Sequence, residues 1–261
     1  MVSNLCRKIG VPHQTLTVEV GAGNVQSEAR LARYAALHEW LSEVASSGDA
    51  LATAHHADDQ AETLLMRLNR ASGLAGLAGI RARRSFDLPN GKQVILVRPL
   101  LGWRRSELDE ILSWLGVEAA QDPSNEDLHY DRVRIRKELG TAGWIDPLAF
   151  SESAEHLSEA LQLVEELADR EWQLRVEKKG AHFSYSPGHH RLVSLEVIRR
   201  IIEAVGGSAT RKDIAHMHDR LQSGQNASLA GVLASPSASF DEASGDEVIA
   251  WQFAKEPPRR S

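Results

Sequence analysis

Along the first half of the chain, short apolar runs alternate with stretches whose apolar residues recur at helical spacing. Leu16, Val18 and Val20 alternate with polar neighbours, which predicts a strand closed by Gly21-Ala22-Gly23-Asn24. Residues 27 to 46 predict a helix with Tyr34, Leu37, Leu41 and Val44 as its buried stripe. Ser46-Ser47-Gly48-Asp49 turns the chain into Asp49–Ala54, whose short, small, apolar run suits a buried parallel strand. Ala61, Leu64, Leu65 and Leu68 then fall at i, i+3, i+4 and i+7, one face of a helix. Val94–Val97 reads as a further buried strand, followed by a helix with Leu108, Ile111, Leu112 and Leu115 inward and Gly116 as its stop. This alternation predicts an α/β fold with a doubly wound, mostly parallel sheet.

The pattern changes in the second half. Leu157, Leu161, Val164 and Ala168 predict a long, exposed, Glu-rich helix from Ser151 to about Lys178. A shorter helix after Ser194 buries Val197, Ile198, Ile201 and Ile202 and stops at Gly206-Gly207, and Thr210-Arg211-Lys212-Asp213 opens another. Leu229 to Phe253 suits a small hairpin, and Glu256–Ser261 a frayed tail. Two domains are expected, an α/β domain over residues 1–137 and a smaller, mainly helical one over 138–261.

Charge refines this picture locally. The chain has 261 residues and a net charge of −6, yet residues 66 to 105 hold nine Arg or Lys and a single acid, Asp87. That segment suits phosphate or nucleic acid. The lone Cys6 excludes an intramolecular disulfide framework and any multi-cysteine zinc or iron–sulfur site, which suits a reducing cytoplasm. No secretory or membrane-spanning stretch is found in the sequence, so no membrane partner is expected.

The densest chemistry lies in His55-His56-Ala57-Asp58-Asp59-Gln60-Ala61-Glu62-Thr63, which packs two imidazoles and three carboxylates into eight positions at the expected strand-to-helix junction. Such a junction lies at the carboxyl edge of a sheet, where open α/β folds bind ligands, and Asp58 and Asp59 fall in the helix's first turn. Arg67 and Arg70 follow at the helix end, then the glycine-rich Ser72-Gly73-Leu74-Ala75-Gly76-Leu77-Ala78-Gly79 stretch. Arg98-Pro99-Leu100-Leu101 ends the next strand, with Trp103-Arg104-Arg105 beyond it. A guanidinium presents a planar fork of donors matched to phosphate oxygens, or serves as a structural ion pair. After the Asp122-Pro123-Ser124-Asn125 turn, Arg132, Arg134 and Arg136 come at alternate positions, as an RNA-facing row or a solvated face.

In this order, the acidic string, the Arg70-Ala71-Ser72-Gly73-Leu74 turn, the Arg98-Pro99-Leu100-Leu101 strand end and Asp122-Pro123-Ser124-Asn125 with its spaced arginines resemble the tRNA(Ile)-lysidine synthetase family. That family belongs to the PP-loop ATP pyrophosphatases, which have a Rossmann-like fold. Gln26, Ala29-Arg30 and Arg33-Tyr34 extend the likeness upstream, so that it covers residues 11 to 137. The resemblance implies a cytoplasmic ligase that adenylates the wobble cytidine of an isoleucine tRNA with a CAU anticodon and lets free L-lysine displace AMP. ATP and Mg²⁺ are the implied cofactors, and a homodimer is one expected assembly. His55, His56, Asp58, Asp59, Arg70 and Arg98 are the implied catalytic residues. Asp58, Asp59, Arg70, Ser72 and Gly73 would bind the nucleotide, with Asp58 and Asp59 holding the metal. Arg98, Arg104, Arg105, Arg132, Arg134 and Arg136 would contact tRNA.

Two departures accompany the likeness. Ala71 stands where the family usually has glycine, and the family's Ser-Gly-Gly-x-Asp-Ser phosphate loop is not among these residues. The expectation is that the sequence starts downstream of that loop, as part of a longer synthetase. The alternatives are a shortened tRNA- or partner-binding protein without catalysis, or another PP-loop adenylating enzyme. A cluster-dependent tRNA thiolase is excluded by the single cysteine.

Overall fold

The computed structural model describes residues 2–21, 25–119, 131–240 and 247–256. The Asp122-Pro123-Ser124-Asn125 turn therefore lies outside the described residues, as does the tail from Pro257. The chain divides into two compact units, the first comprising Met1–His56 with Arg81–Trp103 and the second Ala57–Ile80 with Arg104–Ser261.

The first unit contains α1 (Val2–Ile9), α2 (Val25–Val44), β1 (Ala50–Ala52), β2 (Arg83–Asp87) and β3 (Gln93–Val97). β1 pairs with β3 in parallel, as the alternation requires, while β2 joins the other edge of β3 antiparallel. Strand β2 goes beyond the expected elements. Its cue is the Leu88-Pro89-Asn90-Gly91-Lys92 link, where Leu88 N–H and Lys92 carbonyl meet at 2.8 Å and Gly91 adopts φ 79°. The small core gathers Leu41, Ala45, Leu88 and Val94, with Trp40 and Phe86 against it. Val44, placed on the buried stripe from the sequence, is 55% exposed. Residues 11–20 form no strand, and Val18 and Val20 are exposed. Alternation makes a strand only when a neighbour supplies the ladder, and among the described residues none does.

The second unit begins with α3 (Ala57–Asn69) and α4 (Leu74–Leu77) and continues with α5 (Arg105–Trp114), α6 (Asp131–Thr141) and α7 (Pro147–Arg175). Helix α7 has 29 residues, about 43 Å at 1.5 Å per residue, and Asp146 caps it by accepting from Leu148 N–H at 3.0 Å. After it come β4 (Val176–Lys179), β5 (His182–Tyr185), α8 (Arg191–Val205), α9 (Arg211–Gln222), β6 (Ala227–Leu229), β7 (Val232–Phe240) and β8 (Glu247–Lys255). The five strands form an antiparallel sheet in the order β4-β5-β8-β7-β6.

The α/β class holds, and the chain's end carries more sheet than the expected hairpin. The long helix stops at Arg175 because Val176 turns extended and pairs with Tyr185, and the core residues Phe183, Tyr185, Trp251 and Phe253 come from strands. Pro236 is tolerated inside β7 because β6 pairs only as far as Ala234, leaving that edge of the strand open. Against the sheet, α8 buries Val197, Ile198, Ile201 and Ile202 as expected and ends on Gly206 at φ 97°.

Candidate functional site

The acidic residues Asp58, Asp59 and Glu62 all lie on the first turns of α3, where the exposed amide dipoles favour negative charge. Asp58 Oδ2 accepts the backbone N–H of Arg105 at 2.7 Å, which ties the start of α5 to the start of α3. Asp59 Oδ1 receives Arg132 Nη2 at 2.7 Å, with Arg136 at 3.9 Å. One turn further on, the Glu62 carboxylate is 1% exposed and accepts Arg132 Nε and Arg136 Nε, both at 2.6 Å, with Arg136 Nη2 at 3.2 Å. The Glu62 hydrogen bond outweighs burial and raises the Arg136 pKa above its ordinary value.

Arg132 and Arg136 reach these acids together because α6 is a helix, on which positions four apart share a face. The alternate spacing that suggested a three-arginine row therefore splits. Arg134 points elsewhere and pairs with Asp131, which also accepts Arg70 Nη2 at 3.0 Å. The two arginines, Arg70 first, hold the Asp131 carboxyl below its usual pKa. Adjacent residues of α6 thus link opposite ends of α3, Asp131 to Arg70 and Arg132 to Asp59.

The turn after α3 closes by a pair of hydrogen bonds in which Ser72 N–H reaches Arg67 carbonyl at 3.0 Å and Ala71 N–H reaches Leu68 carbonyl at 3.0 Å. That motif wants a left-handed residue at its penultimate position, and Ala71 adopts φ 50° there. Glycine would adopt this conformation without strain. Gln60, buried at 3%, clamps the segment after α4 by accepting from Ile80 N–H at 2.6 Å and donating to Ile80 carbonyl at 3.1 Å. Gly79, at φ 64°, is required beside it, since a Cβ there would lie 2.5 Å from Gln60 Oε1.

Arg104 is engaged by Asp146, with both carboxylate oxygens 2.9 Å from Nη2, while the Arg105 side chain lies near Asp109. Asp58, Arg104, Arg105, Leu139, Trp144 and Asp146 line an open cleft of about 600 Å³. In the first unit, Thr53 Oγ1 and His55 Nδ1 are 3.0 Å apart, and His56 is half-buried at the end of the segment. Arg98 Nη1 donates to the Arg81 carbonyl, and its buried Nε has no hydrogen-bond partner among the described residues. Burial first, and the charges of Arg30 and Arg84, pull its pKa below the arginine norm, with Tyr34 opposing. Arg84 and Arg98 share a face of the sheet, since Arg84 pairs with Leu96 and Arg98 N–H bonds Ala82 carbonyl.

Residues 1–142 match the model of a family described as a PP-loop domain. Over 264 residues the chain is 40% identical to the tRNA(Ile)-lysidine synthase of Novosphingobium aromaticivorans, covering 100% of this chain and 77% of that protein. The chain belongs to the tRNA(Ile)-lysidine synthase family. The enzyme of that name from Zymomonas mobilis is 36% identical over 267 residues, covering 99% of this chain and 76% of its own length. That from Ruegeria pomeroyi is 40% identical over 214 residues, 79% of this chain and 49% of its own. Membership of this PP-loop family carries ATP use with it.

Within the second unit, the Arg105 N–H holds Asp58, Arg132 and Arg136 converge on Asp59, and Arg70 and Arg134 share Asp131. His55, His56 and Arg98 lie in the other unit, and Ser72 and Gly73 in the turn before α4. Glu62 belongs to the acidic string, yet the sequence alone assigns it no role. The signal was available, since Asp59 and Glu62 sit three apart on one helix face and Arg132 and Arg136 four apart on another. Among the described residues no three His, Cys, Asp or Glu side chains cluster as a metal cage. Two neighbouring carboxylates at a helix start fit instead a Mg²⁺ held chiefly by phosphate oxygens and water.

Proposed function

We propose that this chain carries the ATP-dependent ligation of free L-lysine to the wobble cytidine of isoleucine tRNA with a CAU anticodon, in the cytoplasm. The observation that carries this is the acidic start of α3, where Asp58 and Asp59 are held in place by Arg105, Arg132 and Arg136. In this reading Asp58 and Asp59 hold Mg²⁺, which when bound shields phosphate charge during adenylyl transfer. Arg132 keeps Asp59 oriented toward the nucleotide. Arg98, whose buried Nε has no partner among the described residues, offers its fork to phosphate, and His55 or His56 moves a proton or contacts the α-phosphate. Arg70, with Ser72 and Gly73, supports the nucleotide, while Arg104, Arg105 and Arg134 meet the RNA backbone. The lysine amine then attacks the activated cytidine and AMP leaves. The chain is read as residues 1–137 for the ATP-using domain and 138–261 for the smaller one, and a homodimer is the expected assembly.

The test separates chemistry from binding. Asp59→Asn should abolish tRNA-dependent conversion of ATP to AMP and pyrophosphate while leaving tRNA affinity within about twofold, because the lost group faces nucleotide and not RNA. Unchanged ATP turnover in the variant would remove Asp59 from the site.

A further inference from the structure

Two arginines outside the acidic network converge on the turn that follows α3. Gly73 has φ −78° and ψ −174°, a conformation open to any residue, so its backbone does not demand glycine. Space does. A Cβ at Gly73 would stand 2.3 Å from Arg211 Nε and 2.4 Å from its Cδ, so the Arg211 side chain from the start of α9 lies flat across this position. Three residues on, a Cβ at Gly76 would lie 2.7 Å from Ser72 Cβ and 3.7 Å from Arg67 Cδ. Gly73 caps α4 and Gly76 lies within it, so the stems of Arg211 and Arg67 both lie against this one short turn. Arg67 is exposed and Arg211 half-buried. Neither makes a side-chain hydrogen bond or ion pair with another described residue, whereas Arg70, Arg104, Arg132, Arg134 and Arg136 all face carboxylates.

We propose that Arg67 and Arg211 form a clamp for a phosphodiester of the RNA substrate beside the turn that carries Gly73 and Gly76. The proposal rests on the tRNA-modifying reading above and adds a contact from the second half of the chain. Guanidinium groups without an acid partner retain their full capacity for phosphate oxygens, and two of them at one short turn suit a backbone phosphate. Exposed Lys212 beside Arg211 adds positive charge of the kind an extended RNA backbone meets. Gly73 leaves the room that the Arg211 stem needs to cross the turn.

The experiment measures tRNA affinity against salt concentration for the whole chain, with ATP binding measured alongside. Arg211→Gln keeps much of the side chain's length and removes the charge. It should weaken tRNA binding several-fold and lower the log–log salt slope by about 0.7 to 0.9, one phosphate's share. Arg211→Lys should keep the slope. Gly73→Ala, which displaces the Arg211 stem, should reproduce the loss, and adding it to Arg211→Gln should cost nothing further. A full slope in Arg211→Gln would overturn the clamp. So would an unchanged slope with weakened ATP binding, which would assign the arginine to nucleotide phosphate. If the unaltered chain shows no salt-sensitive tRNA binding at all, the functional reading itself fails and the clamp with it.

Discussion

Replacing Glu62 by Gln removes one negative charge from beneath two arginines while preserving shape. The carboxylate is 1% exposed and accepts three charge-assisted hydrogen bonds, from Arg132 Nε, Arg136 Nε and Arg136 Nη2. Removing one partner of a fully buried pair costs about 3 to 5 kcal/mol. Both arginine side chains are 32% exposed and can partly recover water, which lowers the expected cost to about 2 to 3 kcal/mol. The loss should be local. Val133 is the only described α6 side chain that is buried, so the ion pairs carry much of the attachment of α6 to α3. Hydrogen exchange is the appropriate assay, because amides of Asp131–Thr141 report local release of the helix. At 1.4 kcal/mol per factor of ten, their protection should fall by roughly 30- to 150-fold, with α8 amides unchanged. Glu203→Gln is the control, since Glu203 pairs with Arg199 while 53% exposed and should cost under about 0.5 kcal/mol. Undiminished α6 protection in Glu62→Gln would refute the argument that this buried carboxylate fastens the helix.

Two further outcomes follow from the backbone and from pH. Ala71→Gly relieves a left-handed residue, a gain of about 1 to 2 kcal/mol offset by glycine's greater freedom when unfolded, so the urea midpoint should rise by about 0.5 to 1 kcal/mol equivalent; a lower midpoint would show the turn is not strained. Burial pushes the Glu196 pKa upward, but hydrogen bonds and charges from Arg199 and Arg200 overcome this and hold it below the usual value. Its contribution is therefore present above the ordinary glutamate range and lost as pH falls through the depressed value. Glu196→Gln should cost about 1 to 2 kcal/mol at pH 7, a difference that disappears in acid, and a constant difference across pH would contradict that origin.

Much of the fold was legible where hydrophobic period and capping agreed. In α8 the apolar spacing, the buried isoleucines and the left-handed Gly206 all coincide. In α9 the Thr210 cap accepts from Asp213 N–H at 3.3 Å, as the Thr-x-x-Asp spacing suggests. What the pattern missed depends on partners distant in sequence. Leu16, Val18 and Val20 alternate without a ladder to join, and β4 and β5 become strands because Phe183 and Tyr185 pair with β8 near the far end of the chain. The acidic string was legible as chemistry, since Asp58 and Asp59 were placed at a helix start by periodicity alone. Its cationic partners were seen as a row and not as a clasp, because alternate spacing hides the helical face shared by Arg132 and Arg136. Arg211 left no signal at all, its meaning arising only from where α9 sets it against Gly73.

The most direct test of the account is incorporation of labelled lysine into isoleucine tRNA with ATP and Mg²⁺, by the chain and by its reading frame extended upstream, each with and without Asp59→Asn. The account predicts lysine transfer that requires ATP and disappears in the Asp59→Asn variant. Retained tRNA binding with no lysine transfer from either protein would contradict it and leave a binding module in place of a ligase.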